Sequence, residues 1–483
     1  MRAHKSFVLA AVAIGTIADS AAAQQPKPGA TEPPKLASPK ALTLPVMTER
    51  VLPNGLKLVV IPQTELPIVD VSLVVRSGSE ADPAGKTGLA TLTANLLDEG
   101  AGERDALGIA EQVAYLAVRL STFSTFDQSQ VSLHTTKATL DSAFALMADV
   151  ALRPSFPDAE FKRIRSDRLT SLLQEQDRGP AIADRAFAAI VYGEEHPYGQ
   201  ATSGTTQSVE SITRDDVVSF WRNHFRPNNA TLVIAGDITV DHALRLATNA
   251  FGAWQRGTVP VVASRRSAPA ANSTIYIVDK PGAPQSSFRI GSVGVARSTP
   301  DYYPLLVANT ALGGSFTSRL NQNLRESKGY TYGAGSGFSM RRDAGPFMAR
   351  AEVVREKTDS ALIEFMKELR DIRNPMPADE LAKTKRYLQL GYAERFETPG
   401  DIASQVAGLV PYGLPLSTLG NFNSGIGAVS GADVQRVATK YLDPSKLAIV
   451  IAGDRAAIEQ PLKALKLAPV EIRDLRGRRV ITP

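Results

Sequence analysis

Apolar positions along this chain recur with two different periods. Short aliphatic runs at 56–61, 69–75 and 130–135 have the length and β-branched content of strands, and a helical spacing of apolar residues predicts helices over 87–97, 106–120, 140–152 and 158–176. In the first of these, Leu89, Leu92, Leu96 and Leu97 form a stripe suited to a core. The same alternation resumes beyond residue 272, with strands at 273–278, 286–293 and 347–354 and helices at 302–312, 318–328, 358–373, 378–395 and 402–409. Gly313 and Gly314 suit a helix stop, and Gly329 stands where a left-handed residue would end the helix 318–328 before an extended segment bearing Tyr332. Helices and strands are mixed without strict alternation, so the expected class is α+β.

The pattern is also duplicated. Phe225-Arg-Pro-Asn-Asn-Ala-Thr-Leu-Val-Ile-Ala-Gly-Asp237 returns as Leu442-Asp-Pro-Ser-Lys-Leu-Ala-Ile-Val-Ile-Ala-Gly-Asp454, with Pro227 matching Pro444 and Gly236 matching Gly453 at one offset. Asp216-Val217 and Asp433-Val434 keep that offset in the preceding helix-like stretches. A repeat this long is a duplicated domain and not a solenoid unit. The expected halves are 44–257 and 273–483, joined by a linker at 258–272 where prolines and small polar residues gather.

Composition narrows the setting. Arg2 and Lys5, an apolar stretch from Phe7 to Ala18 and the small residues Ala21-Ala22-Ala23 have the form of a signal peptide, 1–23, cleaved after about Ala23. The expectation is an exported, periplasmic chain with a flexible Pro- and Lys-rich leader at 24–43 and no membrane span. Among 483 residues 43% are hydrophobic, enough for at least two cores. The absence of cysteine excludes disulfides, thiolate metal sites and a cysteine nucleophile. The net charge of +5 comes from dispersed bases among nearly as many acids, which does not favour nucleic acid as a partner.

Several short motifs together resemble the pitrilysin/insulinase-type, processing-peptidase-like zinc metallopeptidases over nearly all of 48–460. They are Leu52-Pro-Asn-Gly-Leu-Lys-Leu-Val-Val60, Gly78 and Gly85 before Gly88-Leu-Ala90, His196-Pro-Tyr-Gly199 followed by Gly204, and the repeated Pro-x-x-Ala-x-x-x-x-Ala-Gly-Asp run at Pro227. The resemblance implies two halves, each a mainly antiparallel sheet packed by helices. In that family the segment after Gly-Leu-Ala reads His-x-x-Glu-His, two zinc ligands and a general base. Here those places hold Thr91, Ala94 and Asn95. The family's third ligand falls by resemblance near Thr170, Ser171 and Leu172, none of them an acid, and Glu175 is about one helical turn further on. Hydroxyls and amides are poor substitutes for imidazole, so no zinc is expected on this chain. His4, His134, His196, His224 and His242 include no pair at helical ligand spacing. No Gly-x-Ser-x-Gly elbow is present, and Gly85-Lys86-Thr87 lacks the first glycine of a phosphate loop because Glu80 stands there.

A second segment, Gly313-Gly-Ser-Phe-Thr-Ser-Arg-Leu-Asn-Gln-Asn-Leu-Arg-Glu-Ser-Lys-Gly-Tyr-Thr-Tyr332, resembles the family's arginine–tyrosine segment, which assists catalysis from across the cleft. Carried over by resemblance, the catalytic candidates are Arg325 and Tyr332. The family also includes pairs in which one chain holds zinc and its partner supplies the arginine and tyrosine. The implied role is therefore the non-zinc subunit of an exported heterodimer, inactive alone, with a zinc-bearing homologue as partner and peptides as substrates. Two other readings stay open: a catalytically silent pseudopeptidase that scaffolds or binds peptides, and a peptidase with a displaced metal site.

Overall fold

The computed structural model describes residues 42–480 apart from 266, 268 and 269. The expected signal peptide, 1–23, and all but the last two residues of the leader lie outside the described residues.

The first half contributes strands β1 (Thr48–Val51), β2 (Lys57–Pro62), β3 (Ile68–Val75), β4 (Arg119–Ser124), β5 (Ser129–Thr136) and β6 (Ala230–Gly236). They form a six-stranded sheet in the order β1-β2-β6-β3-β5-β4, antiparallel except where β2 runs parallel to β6. The second half contributes β7 (Thr274–Asp279), β8 (Gln285–Val293), β9 (Thr331–Phe338), β10 (Pro346–Val354), β11 (Ala448–Gly453) and β12 (Val470–Arg473). Their order is β9-β10-β8-β11-β7-β12, with β7 parallel to both β11 and β12. From β4 to β2 and from β9 to β7 the two orders are the same, which is the duplication expressed as topology. Only the outermost strand differs: β1 comes before the other strands of its half, whereas β12 comes after those of its own.

The repeated aspartates have a local explanation. Asp216 and Asp433 each close a capping box, with Thr213 and Ser430, at the start of the helices Arg214–His224 and Gly431–Tyr441. Each box satisfies helix amides that would otherwise lack partners. The following short turns at Pro227–Asn229 and Pro444–Lys446 deliver the chain into β6 and β11, whose residues are buried throughout.

Strands buried on both faces require a cover on each side. One cover is local: the helices of each half pack its own apolar cluster, around Phe144 and Phe251 in the first and around Phe288 and Phe365 in the second. The other is exchanged. Helix Gly179–Tyr192 of the first half lays Ile182, Ala183, Ala186 and Phe187 on Val278, Ala448, Val450 and Ala452 of the second sheet. Helix Pro399–Ala407 of the second half lays Ile402, Ala403 and Val406 on Val59, Ile61, Val233 and Ala235 of the first.

The helix expected at 106–120 is shorter. It ends at Leu116, Ala117 takes a left-handed conformation at φ 54°, and the chain enters β4. Apolar residues at Leu116, Val118 and Leu120 fit a period of two as well as the end of a helix, and the sheet edge decides between them. The exchanged helix Gly179–Tyr192 was absent from the sequence expectations because its buried face rests on two alanines beside Ile182 and Phe187.

Gly236 and Gly453 close the duplicated strands for different reasons. Gly236 has φ 132°, and a Cβ there would collide with the Ile68 carbonyl oxygen; at Gly453 a Cβ would lie 2.8 Å from the Ser286 hydroxyl, a side-chain atom that can turn only by giving up its bond to Thr358. Gly236→Ala is expected to destabilise the protein by about 2–3 kcal/mol and Gly453→Ala by about 1 kcal/mol or less, as measured by urea unfolding. Equal losses at both sites would contradict the assigned conformations.

Candidate functional site

The degenerate motif sits on a short helix, Leu89–Ala94, entered through Gly88 in a left-handed conformation at φ 98°. The buried carboxyl of Asp82 accepts from the amides of Gly88 and Ala90, both at 2.8 Å. Burial pushes Asp82 up to about 7, while these amide bonds pull the other way. Thr91 donates its hydroxyl to the Thr202 carbonyl at 2.7 Å, Ala94 presents only a buried methyl, and Asn95 occupies the cap after the last turn.

On helix Asp158–Glu175, Thr170 and Ser171 donate to the carbonyls of Ser166 and Asp167 in their own helix, and Leu172 is buried. Glu175 is held by Arg185 at 2.9 Å. These donors do not fit zinc: a methyl, an amide, three hydroxyls of which each is already donating, and a carboxylate neutralised by a guanidinium. Among the described residues no group of three or more acids or histidines is placed to hold a metal ion.

The four histidines among the described residues are accounted for by local contacts. His134 meets Asp70 at 2.8 Å, His242 meets Asp141 at 3.2 Å, and His196 accepts from the Tyr198 amide at 2.9 Å. His224 lies 3.0 Å from the Ser77 hydroxyl, and burial pushes it down to about 4, so it is neutral at ordinary pH.

Arg325 and Tyr332 come together in the second half. One helical turn, Arg319–Asn321, widens into a π-helical turn, Gln322–Ser327, and Gly329 at φ 64° reverses the chain into the edge strand β9. This segment is fastened at several points. Arg319 makes paired bonds of 2.7 and 2.6 Å to Glu380, Asn323 donates to Glu364 and Glu368, and Asn321 bridges the Phe316 carbonyl to the Ala334 amide. The Arg325 guanidinium lies over the Phe316 ring at 4.6 Å and reaches Glu326 only at 3.5 Å. Tyr332 is 91% exposed.

Both residues line one open depression of about 480 Å³. Its floor adds Arg289, Arg350 and Glu352, which sequence reasoning did not single out. A signal was present, since an arginine centred in the apolar strand 286–293 must find acids when it is buried. Arg289 finds Asp184 on the exchanged helix at 2.5 Å and Glu352 at 3.0 Å. Burial opposes its charge, but these bonds outweigh it and raise the guanidinium above its ordinary value.

A polar latch joins the halves at the end of the sheets. Arg342, in the loop between β9 and β10, forms an ion pair with the buried Glu80 and donates to the Asp127 carbonyl at 3.2 Å. Tyr198 and Tyr412 bond the two carboxylate oxygens of Asp127 at 3.2 and 3.3 Å, and Arg341 stacks over Phe126 at 3.5 Å. The His-Pro-Tyr-Gly motif thus serves to place Tyr198 in this latch. No helix among the described residues is long and apolar enough to cross a membrane.

Comparison with known proteins agrees with the two-half fold. Residues 58–205 match the family described as insulinase (peptidase family M16), and 211–388 match the peptidase M16 inactive domain. An uncharacterized zinc protease of Mycobacterium leprae is 29% identical over 305 residues, 61% of this chain and 66% of that protein. The non-peptidase homolog YmxG of Helicobacter pylori is 24% identical over 367 residues, 74% of this chain and 82% of that protein. A crystal structure of a peptidase M16 inactive domain from Pseudomonas fluorescens has a TM-score of 0.79 at 27% identity, covering 84% of this chain and 98% of the other. A protease from Helicobacter pylori shares the fold at a TM-score of 0.79 and 20% identity, covering 85% and 100%.

Proposed function

The chain belongs to the peptidase M16 family as a member of its inactive type, and from this premise we propose that it is the non-zinc subunit of a two-chain peptidase. A homologue with an intact His-x-x-Glu-His helix is the partner, and it supplies the metal and the water that attacks the peptide. This chain supplies Arg325, which holds a substrate carbonyl or carboxylate, and Tyr332, whose phenol donates to the oxyanion formed at the scissile carbon.

The observation that carries this reading is the contrast between the two segments. At the degenerate motif the Thr91 hydroxyl and Glu175 are engaged by local bonds, whereas Arg325 and Tyr332 share an open depression and the Tyr332 phenol makes no hydrogen bond to another described residue. A tyrosine retained for packing would be buried. The signal-peptide form of residues 1–23 supports an exported, periplasmic complex. A second reading, a silent pseudopeptidase that binds peptides or scaffolds other chains, draws support from the non-peptidase homolog among its relatives.

Purification of the chain alone and together with a zinc-motif homologue encoded beside it separates these readings. The expected result is no bound zinc and no peptide cleavage for the chain alone, with about one zinc per pair and rapid cleavage for the mixture. Cleavage by the mixture no faster than by the homologue alone would favour the scaffold. Zinc and activity in this chain alone would reinstate a displaced metal site.

A further inference from the structure

The depression around Arg325 and Tyr332 contains a cation that the catalytic reading does not use. Arg350 lies on β10 directly opposite Arg289 on β8, and its other register partner, on the edge strand β9, is Gly335. Like charges facing each other across strands repel, a cost that a nearby acid or a bound anion relieves. Arg289 is compensated by Asp184 and Glu352. Arg350 is exposed and, among the described residues, its side chain has neither a hydrogen bond nor an ion pair. The glycine beside it provides no side chain to shield it.

Glu352, the acid on the same strand, is already engaged by Arg289 and by the Ser287 hydroxyl. Arg325, on the wall of the same depression, rests on the Phe316 ring and has only a 3.5 Å approach to its neighbour Glu326. Two weakly compensated guanidinium groups therefore border one open space with an aromatic wall. A guanidinium presents a rigid fork of donors that matches a carboxylate, so this space suits a planar anion.

We propose that this depression is an anion subsite for the bound peptide, in which Arg350, beside Arg325, holds a peptide carboxylate. Resting on the reading of this chain as a peptidase subunit, the proposal gives that subunit a preference for peptides carrying an acidic side chain or a free C terminus near the reacting bond. Arg350 acts here as a specificity-determining residue, separate from the phenol that faces the oxyanion.

The test uses the full mature chain and three fluorescein-labelled decapeptides of one sequence. The first is neutral with an amidated C terminus, the second replaces a central Gln with Glu, and the third is neutral with a free C-terminal carboxylate. Binding is followed by anisotropy at low and at 0.5 M salt. Wild type is expected to bind at least one carboxylate peptide about fivefold more tightly than the neutral one, with the preference fading at high salt. Which of the two is preferred identifies the source of the carboxylate. Arg350→Gln should bind all three alike, Arg350→Lys should keep part of the preference, and Lys57→Gln, an exposed cation of the first sheet, should keep all of it.

Equal binding of the three peptides by wild type, no binding of any of them, or a preference that survives Arg350→Gln would overturn the proposal. A melting temperature of Arg350→Gln no lower than that of wild type confirms that lost preference is not lost folding. Cleavage of the neutral peptide by the mixed complex reports on the peptidase reading separately. If cleavage is absent while the carboxylate preference persists, that reading fails and the subsite stands.

Discussion

Replacing Arg325 with Ala together with Tyr332 with Phe is expected to lower turnover by the mixed complex about 10²–10³-fold while leaving assembly unchanged. The phenol hydroxyl is the only group that Tyr332→Phe removes, and at 91% exposure it supports no core. Arg325 contributes a ring contact and a weak approach to an adjacent acid, so its loss should have little effect on stability. A large catalytic loss with a small structural one is the signature sought. The main effect of Tyr332→Phe should fall on kcat, because an oxyanion exists only during reaction, whereas Arg325→Ala should also raise KM by releasing the ground-state carbonyl. Unchanged turnover by the double variant would sink the divided-site reading. Loss of assembly would instead assign the pair to the interface.

Arg342→Ala is expected to destabilise the protein by about 1 kcal/mol at pH 6 and about 3 kcal/mol at pH 9. The growth with pH follows from Glu80. Burial pushes this carboxyl up to about 8, and the neighbouring Asp127 and Asp343 add to the rise against the pull of Arg342. Between an ordinary glutamate value of 4.5 and that value, the folded protein keeps a proton that the unfolded chain has released. Stability of the wild type therefore falls as pH rises through this window. At pH 6 Glu80 is neutral with or without its partner. At pH 9 the wild-type carboxylate is ionised beside Arg342, whereas in the variant loss of the guanidinium pushes the carboxyl further up, so the folded protein must keep a proton that the unfolded chain has released. Glu80→Gln should flatten the wild-type decline between pH 5 and 8 and remove most of the extra loss at pH 9 when combined with Arg342→Ala. Denaturant unfolding at the two pH values checks both statements, and a pH-independent loss would show that Glu80 is not the titrating group.

Much of this architecture was legible in the chain because the duplication was written in residues with backbone roles. The two capping-box aspartates and the two strand-ending glycines mark the same points in both halves, so one offset relates the equivalent strands of the two sheets. Arg325 and Tyr332 were singled out through the resemblance of the segment from Gly313 to Tyr332 to a family motif, and Gly329 supplies the expected left-handed turn between them. The helix 106–120 was misread at its end because a period of two and a period of 3.6 coincide over Leu116, Val118 and Leu120. Arg350 and the Arg342–Glu80 latch were not legible at all: their partners are 61 and 262 residues away or supplied by sheet register, and long-range pairing leaves no local spacing to read.

The exchanged helices give the duplication a thermodynamic meaning. Melting either half would strip a helix from the opposite sheet and expose a stripe of valine, isoleucine and alanine that no segment of the intact half can cover. A state with one half folded is thereby penalised from both directions, and the paired halves behave as one cooperative unit although the sequence reads as two. The duplicated unit is no longer a module that could be cut free at the linker and used alone.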